Sequence, residues 1–185
     1  STGAPSLTFI GDENTGLYRK SGGSVGFVSD ATEIANFDSN GITISSGNII
    51  IPDSIIHNGD SNTKIRFPAA DTVSVENGGQ ESLRIDSNGR LIVGAVSSND
   101  VGAFGGAALQ VEGLNAAGSA FSIIRHSADT VGSSILMGKT RGTSDGATTV
   151  VQNNDVVARI IAYAADGTDT ESSLGAIQFD VDGTP

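Results

Sequence analysis

The sequence predicts an all-β protein of short-strand meander modules in tandem, on three observations. First, apolar and polar residues alternate in brief runs: Lys64-Ile65-Arg66-Phe67, Thr72-Val73-Ser74-Val75, Ser82-Leu83-Arg84-Ile85 and Arg90-Leu91-Ile92-Val93. A period of two places Ile65 and Phe67, Val73 and Val75, Leu83 and Ile85, Leu91 and Val93 on one face of each strand. Second, turn-forming clusters separate the runs: Pro68-Ala69-Ala70-Asp71, Asn77-Gly78-Gly79 and Asp86-Ser87-Asn88-Gly89. Third, residues 59–94 echo an earlier stretch. A shift of 48 residues superimposes Gly59-Asp60, Asn62-Thr63, Val73, Glu81, Asp86-Ser87-Asn88-Gly89 and Ile92 on Gly11-Asp12, Asn14-Thr15, Val25, Glu33, Asp38-Ser39-Asn40-Gly41 and Ile44. A fixed period marks an array of like modules.

One module offers too few apolar side chains to offset the conformational entropy of ordering its backbone. Strands this brief also leave open edges when alone. The missing apolar surface must come from a neighbouring module or from identical chains. Identical chains are favoured, because two modules make a very short solenoid.

Taken in order, Pro5-Ser6-Leu7-Thr8-Phe9-Ile10 opens as a strand, and Gly11 to Gly16 is expected to turn into Leu17-Tyr18-Arg19. Module 1 covers residues 1–47. A linker is expected at 48–58, where Pro52-Asp53 breaks the pattern, before module 2 at 59–94. In the 48-residue register Ile42 and Ile44 fall out of phase with Leu91 and Val93, so a bulge or re-registration is expected near Gly41. A second linker is expected at 95–106. Residues 107–185 then form a thicker segment with longer strands at Ala108 to Glu112, Ala120 to Arg125, Ser134 to Lys139 and Val156 to Tyr163. Gly142 to Gly146 and Ala165 to Asp169 read as turns between strands. Ser1 and the Asp182-Gly183-Thr184-Pro185 end suggest a piece of a longer chain.

Composition excludes several classes. The net charge of -11, with only ten Lys and Arg, disfavours nucleic acid as a partner, because phosphate neutralisation needs clustered cations. An acidic surface keeps an elongated assembly soluble. With no Cys there is neither a disulfide staple nor a Cys-ligated zinc. The longest greasy run, Ile49-Ile50-Ile51, stops at Pro52, far short of a membrane span.

The run Pro5-Ser6-Leu7-Thr8-Phe9 with Gly11-Asp12, Asn14-Thr15-Gly16 and Leu17-Tyr18 resembles a module of tail fibre proteins of tailed bacteriophages, many from marine viruses. Residues 63–72 with Leu83-Arg84-Ile85-Asp86-Ser87-Asn88-Gly89-Arg90 are similar to a second such module. Val150 to Asp155, Ala164 to Thr168 and Phe179 to Pro185 also look like phage fibre sequence. The resemblance implies an intertwined, elongated homotrimeric fibre on the virion, outside the cell. It would join other tail or adaptor proteins, mediate attachment to a bacterial surface and touch a host surface glycan at most. Alternatives are a polysaccharide-degrading tailspike domain and a subunit of a microbial surface filament or adhesin.

No catalytic, cofactor-binding or metal-ligating residue is assigned. Asp38 to Gly41 and Asp86 to Gly89 carry D-x-N-G, yet position 12 of each loop is Ile49 or Ser97 where an EF-hand needs Glu. They read as hairpin turns. His57 and His126 have no metal-binding spacing and read as solvated residues. The acid pairs Asp12-Glu13, Asp166 with Asp169 and Asp180 with Asp182 evoke glycosidase carboxylates, but they read as turn and strand-end residues. Gly102 to Gly106 lacks the G-K-[ST] ending of a phosphate loop. Arg66, Arg84 and Arg90 lie opposite the apolar face and are expected to pair with Asp71, Glu76, Glu81 or Asp86.

Overall fold

A computed structural model of the chain describes residues 1–102 and 105–183. The described residues are all-β: they contain no helix and form three sheets. The chain divides into two compact units, Ser1–Pro52 and Asp53–Pro185.

The first unit is a five-stranded antiparallel meander of β1 (Leu7–Phe9), β2 (Asp12–Ser21), β3 (Ser24–Ser29), β4 (Thr32–Asp38) and β5 (Gly41–Ile44). The second unit holds β6 (Ser54–His57), β7 (Asp60–Ala69), β8 (Thr72–Asn77), β9 (Gln80–Ile85) and β10 (Leu91–Val93) in the same order. There β11 (Leu109–Val111) adds parallel to β10, and β12 (Val156–Ala164) pairs with β13 (Ser172–Asp180) in a separate hairpin.

The two meanders share their register. Leu7↔Leu17, Leu17↔Phe27, Phe27↔Ala35 and Val28↔Glu33 in the first become Ile55↔Ile65, Ile65↔Val75, Val75↔Leu83 and Glu76↔Glu81 in the second, each 48 residues on. The Ala31 N–H donates to the Asn14 carbonyl at 2.9 Å, and the Gly79 N–H to the Asn62 carbonyl at 2.9 Å. The offset changes only at the last strand. Asp38 pairs Gly41 across a two-residue turn, whereas residues 86–90 separate Ile85 from its partner Leu91. That extra residue makes Ile42 equivalent to Leu91, and the phase mismatch expected near Gly41 is resolved at this hairpin.

Several expectations need correction. The 48–58 linker contains β6, which pairs with β7 as β1 pairs with β2. His57 interrupts the apolar alternation there, although Ser54-Ile55 stands 48 residues after Ser6-Leu7. Gly11 to Gly16 is not one turn: the chain reverses at Ile10-Gly11 and β2 already runs from Asp12. Gly16 is needed for close approach, since a Cβ there would overlap the Leu7 carbonyl. Pro68 and Ala69 still belong to β7, past a register irregularity after Arg66. In the 107–185 segment the strands are β11, β12 and β13. Its first strand joins the second meander, and Ala120 to Arg125 and Ser134 to Lys139 form no strand in the single chain. Ala103 and Phe104 of the 95–106 linker, like Thr184 and Pro185, lie outside the described residues.

The β3–β4 turn gives the first prediction. Asp30 and Ala31 take φ of 49° and 59°, where the matching turn has Gly78 and Gly79. Two consecutive positive φ values define the type I′ hairpin turn that suits strand twist. A left-handed Ala costs on the order of 1 kcal/mol, so Ala31→Gly is expected to stabilise the hairpin by about that much. The check is a higher denaturant midpoint for the variant at the same protein concentration.

Candidate functional site

Alternation gives each meander a polar face and an apolar face, and the single chain covers the polar one. In the first sheet Tyr18, Gly26, Asn36 and Thr43 lie in one cross-strand row. Tyr18 is 8% exposed and Asn36 4%. The Tyr18 hydroxyl donates to Glu33, which also accepts from Lys20 Nζ at 2.7 Å, Ser45 Oγ at 2.7 Å and Asn36 Nδ2 at 3.1 Å. The Lys20 ammonium, with the Tyr18 and Ser45 hydroxyls, pulls the Glu33 carboxyl from its ordinary 4.5 down to about 2. Glu33 in turn raises the Tyr18 phenol.

The second sheet makes the same kind of surface from other residues. Arg66 stands where Tyr18 does and donates to Glu76 Oε1 at 2.8 Å and to Asp53 Oδ1 at 3.2 Å. Arg84 grips Glu81 through two nitrogens, and Arg90 Nε donates to Asp86 Oδ2 at 2.8 Å. The expected arginine partners are therefore present except Asp71, and Asp53 is an addition. Beneath these side chains Ser74 and Ile92 are fully buried. The bond to Arg66 lowers the Glu76 carboxyl, and the backbone bond from Arg90 lowers Asp86.

The other face is uncovered. Leu7, Phe9, Val25, Phe27, Phe37 and Ile42 of the first meander are exposed, Phe9 at 66% and Phe27 at 42%. Ile55, Ile65, Phe67 and Ile85 repeat the pattern in the second, with Leu109 of β11 beside them. Phe27 and Phe37 stack with ring centroids 5.3 Å apart at 54°, a geometry that favours aromatic contact. On this face, where β1 meets β2, an apolar cleft of about 410 Å³ runs between Leu7, Phe9, Leu17 and Phe27. A cleft of about 290 Å³ sits at the matching place in the second meander, between Ile55, His57, Ile65 and Val75.

The exposed area is large. The chain leaves 13369 Å² accessible to solvent. Two separate compact bodies of the size of its two units would expose about 9,800 Å² together. The excess, roughly 3,600 Å², lies in the range that obligate interfaces bury.

The other residues considered from the sequence do not converge. In both D-S-N-G loops the aspartate turns back on its own backbone: Asp38 Oδ1 accepts the Asn40 N–H at 2.8 Å, and Asp86 Oδ1 accepts those of Asn88 and Arg90 at 2.9 and 3.0 Å. Asp166 likewise accepts the Thr168 and Asp169 amides at 2.8 and 3.2 Å. Asp180 accepts from Gln178 Nε2 at 2.8 Å. His57 lines the second apolar cleft, while His126 is exposed in a stretch outside any strand. Among the described residues no three His, Asp or Glu side chains converge as a metal site, and no helix is long and apolar enough to cross a membrane. Sequence reasoning missed the Tyr18–Glu33 centre, whose members are far apart in the chain and meet only through the β2–β3–β4 register.

No protein family, curated protein or solved structure matches this chain.

The Glu33 centre makes an acid-stability prediction. A carboxyl held low in the folded state stabilises it fully above its unfolded value, and that contribution is lost as pH falls through the folded value. Glu33 covers the window from 4.5 down to about 2. Asp129, held to about 2 by the Arg125 guanidinium, covers 3.8 down to about 2. Stability at fixed concentration is expected to fall across these windows, and Glu33→Gln to flatten the upper part of the fall. Denaturant midpoints measured from pH 5 to pH 2 check it.

Proposed function

We propose that this chain is a structural virion component, a segment of a homotrimeric tail fibre of a tailed bacteriophage that mediates host-cell attachment. The open apolar face on each meander carries the reading. A sheet whose polar side is already sealed by Tyr18, Arg66 and Arg84, and whose Phe27 and Ile65 side is bare, is half of an interior. Copies wound about a threefold axis bring such faces together, and closed symmetry limits the assembly to a rod.

The matching register of the two meanders supports tandem modules along that rod. The virion assignment itself rests on the likeness of residues 5–18 and 63–90 to fibre modules. The mechanism is mechanical and not catalytic. Strand pairing and a thin apolar interior stiffen the shaft, and three linked copies raise the avidity of whatever the fibre carries toward a surface glycan. Partners are the identical chains and the tail or adaptor proteins that anchor them.

Antibody against the purified chain is expected to decorate the tails of particles that encode it. Label on the capsid alone, or on no particle, contradicts the reading. Incubation with host polysaccharide is expected to release no new reducing or unsaturated ends; their release would favour a polysaccharide-degrading spike instead.

A further inference from the structure

Residues 113–155 form no strand, yet they are not featureless. Their path is pinned at two places. Arg125 donates to Asp129 Oδ1 at 2.6 Å and to the Val131 carbonyl, which folds the chain back between 125 and 131. Arg141 holds both Asp155 oxygens at 2.7 Å, and its amide donates to the Thr149 carbonyl at 3.1 Å.

The first pin lies between two runs, Ala120 to Arg125 and Ser134 to Lys139, which form no strand in the single chain and carry the apolar stretches Ile123-Ile124 and Ile135-Leu136-Met137. They flank an open slot of about 260 Å³ bounded by Phe121 and Ile123 on one side and Ser134 and Ile135 on the other. No backbone-to-backbone hydrogen bond is made by residues 121–139 among the described residues. Phe121, Ile124, Ile135 and Leu136 all stand in solvent. An apolar, exposed stretch whose backbone groups have no backbone partner is free to take another strand.

We propose that these runs are strands completed between copies, with Ala120 to Arg125 of one chain pairing Ser134 to Lys139 of the next. The occupant is a second copy because such pairing is reciprocal. Each chain offers one run of each kind, both with free edges, so a heterologous contact repeated around a threefold axis leaves no chain unpaired. The exposed area per chain exceeds that of compact bodies by about as much as an obligate interface buries. The inference rests on the homotrimer reading and adds which segments cross between chains.

Amide exchange on the full chain, followed by mass spectrometry with molar mass measured in parallel, tests it. In the trimer, peptides covering 121–139 are expected to exchange at least about a hundredfold more slowly than an unstructured chain, and to lose that protection on dilution to monomer. Trimers mixed from ¹⁵N-labelled wild type and unlabelled Ile123→Pro chains separate neighbours from self. The labelled 134–139 peptide is expected to lose protection there. A trimer with unprotected 121–139, protection equal in the monomer, or a labelled peptide unaffected by Pro neighbours would each overturn the inference and leave the trimer standing. A chain that stays monomeric at every concentration would overturn both.

Discussion

Phe27→Asp is expected to convert the assembled protein to monomers while leaving the monomer's β content nearly unchanged. Phe27 is 42% exposed in the single chain, where it meets Phe37 and lines the open cleft with Leu7 and Leu17, so the folded monomer loses only part of a contact that is already open to solvent. In the proposed trimer the same position would face other copies. Each chain would then bury a carboxylate without a cation, at a cost on the order of 3 kcal/mol per copy. Thr43→Asp is the control, because Thr43 is exposed on the opposite face of the same sheet, in the row of Tyr18 and Asn36. Molar mass by light scattering checks both. A drop for Phe27→Asp with none for Thr43→Asp is expected, and equal drops would mean that both faces are interfaces.

Gly26→Val is expected to destabilise the first meander by roughly 1–3 kcal/mol, although Val is the better strand residue by propensity. A Cβ at Gly26 would lie 2.9 Å from Tyr18 Cζ and closer still to the ring edge. The ring cannot swing away freely, because its hydroxyl is tied to Glu33, which Lys20 and Ser45 hold in turn. The matching residue of the second meander is Ser74, whose Cβ is accommodated because Arg66 replaces the tyrosine there. The clash is therefore specific to the pair. In a Tyr18→Leu background the cost of Gly26→Val is expected to shrink, a coupling that a double-mutant cycle in denaturant measures.

Much of the fold was legible because its signals are local. The alternation of Val73 with Val75 and Leu83 with Ile85, and the turn residues at 77–79, place β8 and β9 within a residue or two. The 48-residue shift between Gly11 and Gly59 anticipates the shared pairing of the two meanders. Signals failed where contacts are long-range. Ser54 to His57 was hidden by Pro52 and by a histidine in an apolar slot, and only its pairing with β7 reveals a strand. The tie between Tyr18 and Glu33 follows from a bulge between Phe27 and Val28 that no local pattern announces. The apolar runs Phe121 to Ile124 and Ile135 to Met137 report strand propensity, but propensity does not supply a partner, and among the described residues neither run has a backbone partner in the single chain. The uncovered face was the least legible feature. Sequence names the apolar side of each strand and expects it inward, whereas in one chain the arginines, Tyr18 and Glu33 fold over the opposite side.

Sedimentation of the purified chain, from micromolar concentration down to high dilution, tests most directly whether other copies cover that apolar face. Three chains of 18.7 kDa are expected to give a species of about 56 kDa that sediments as an elongated particle and comes apart, losing cooperative melting, as it is diluted. A single 18.7 kDa species that melts cooperatively and at the same temperature at every concentration would contradict the account.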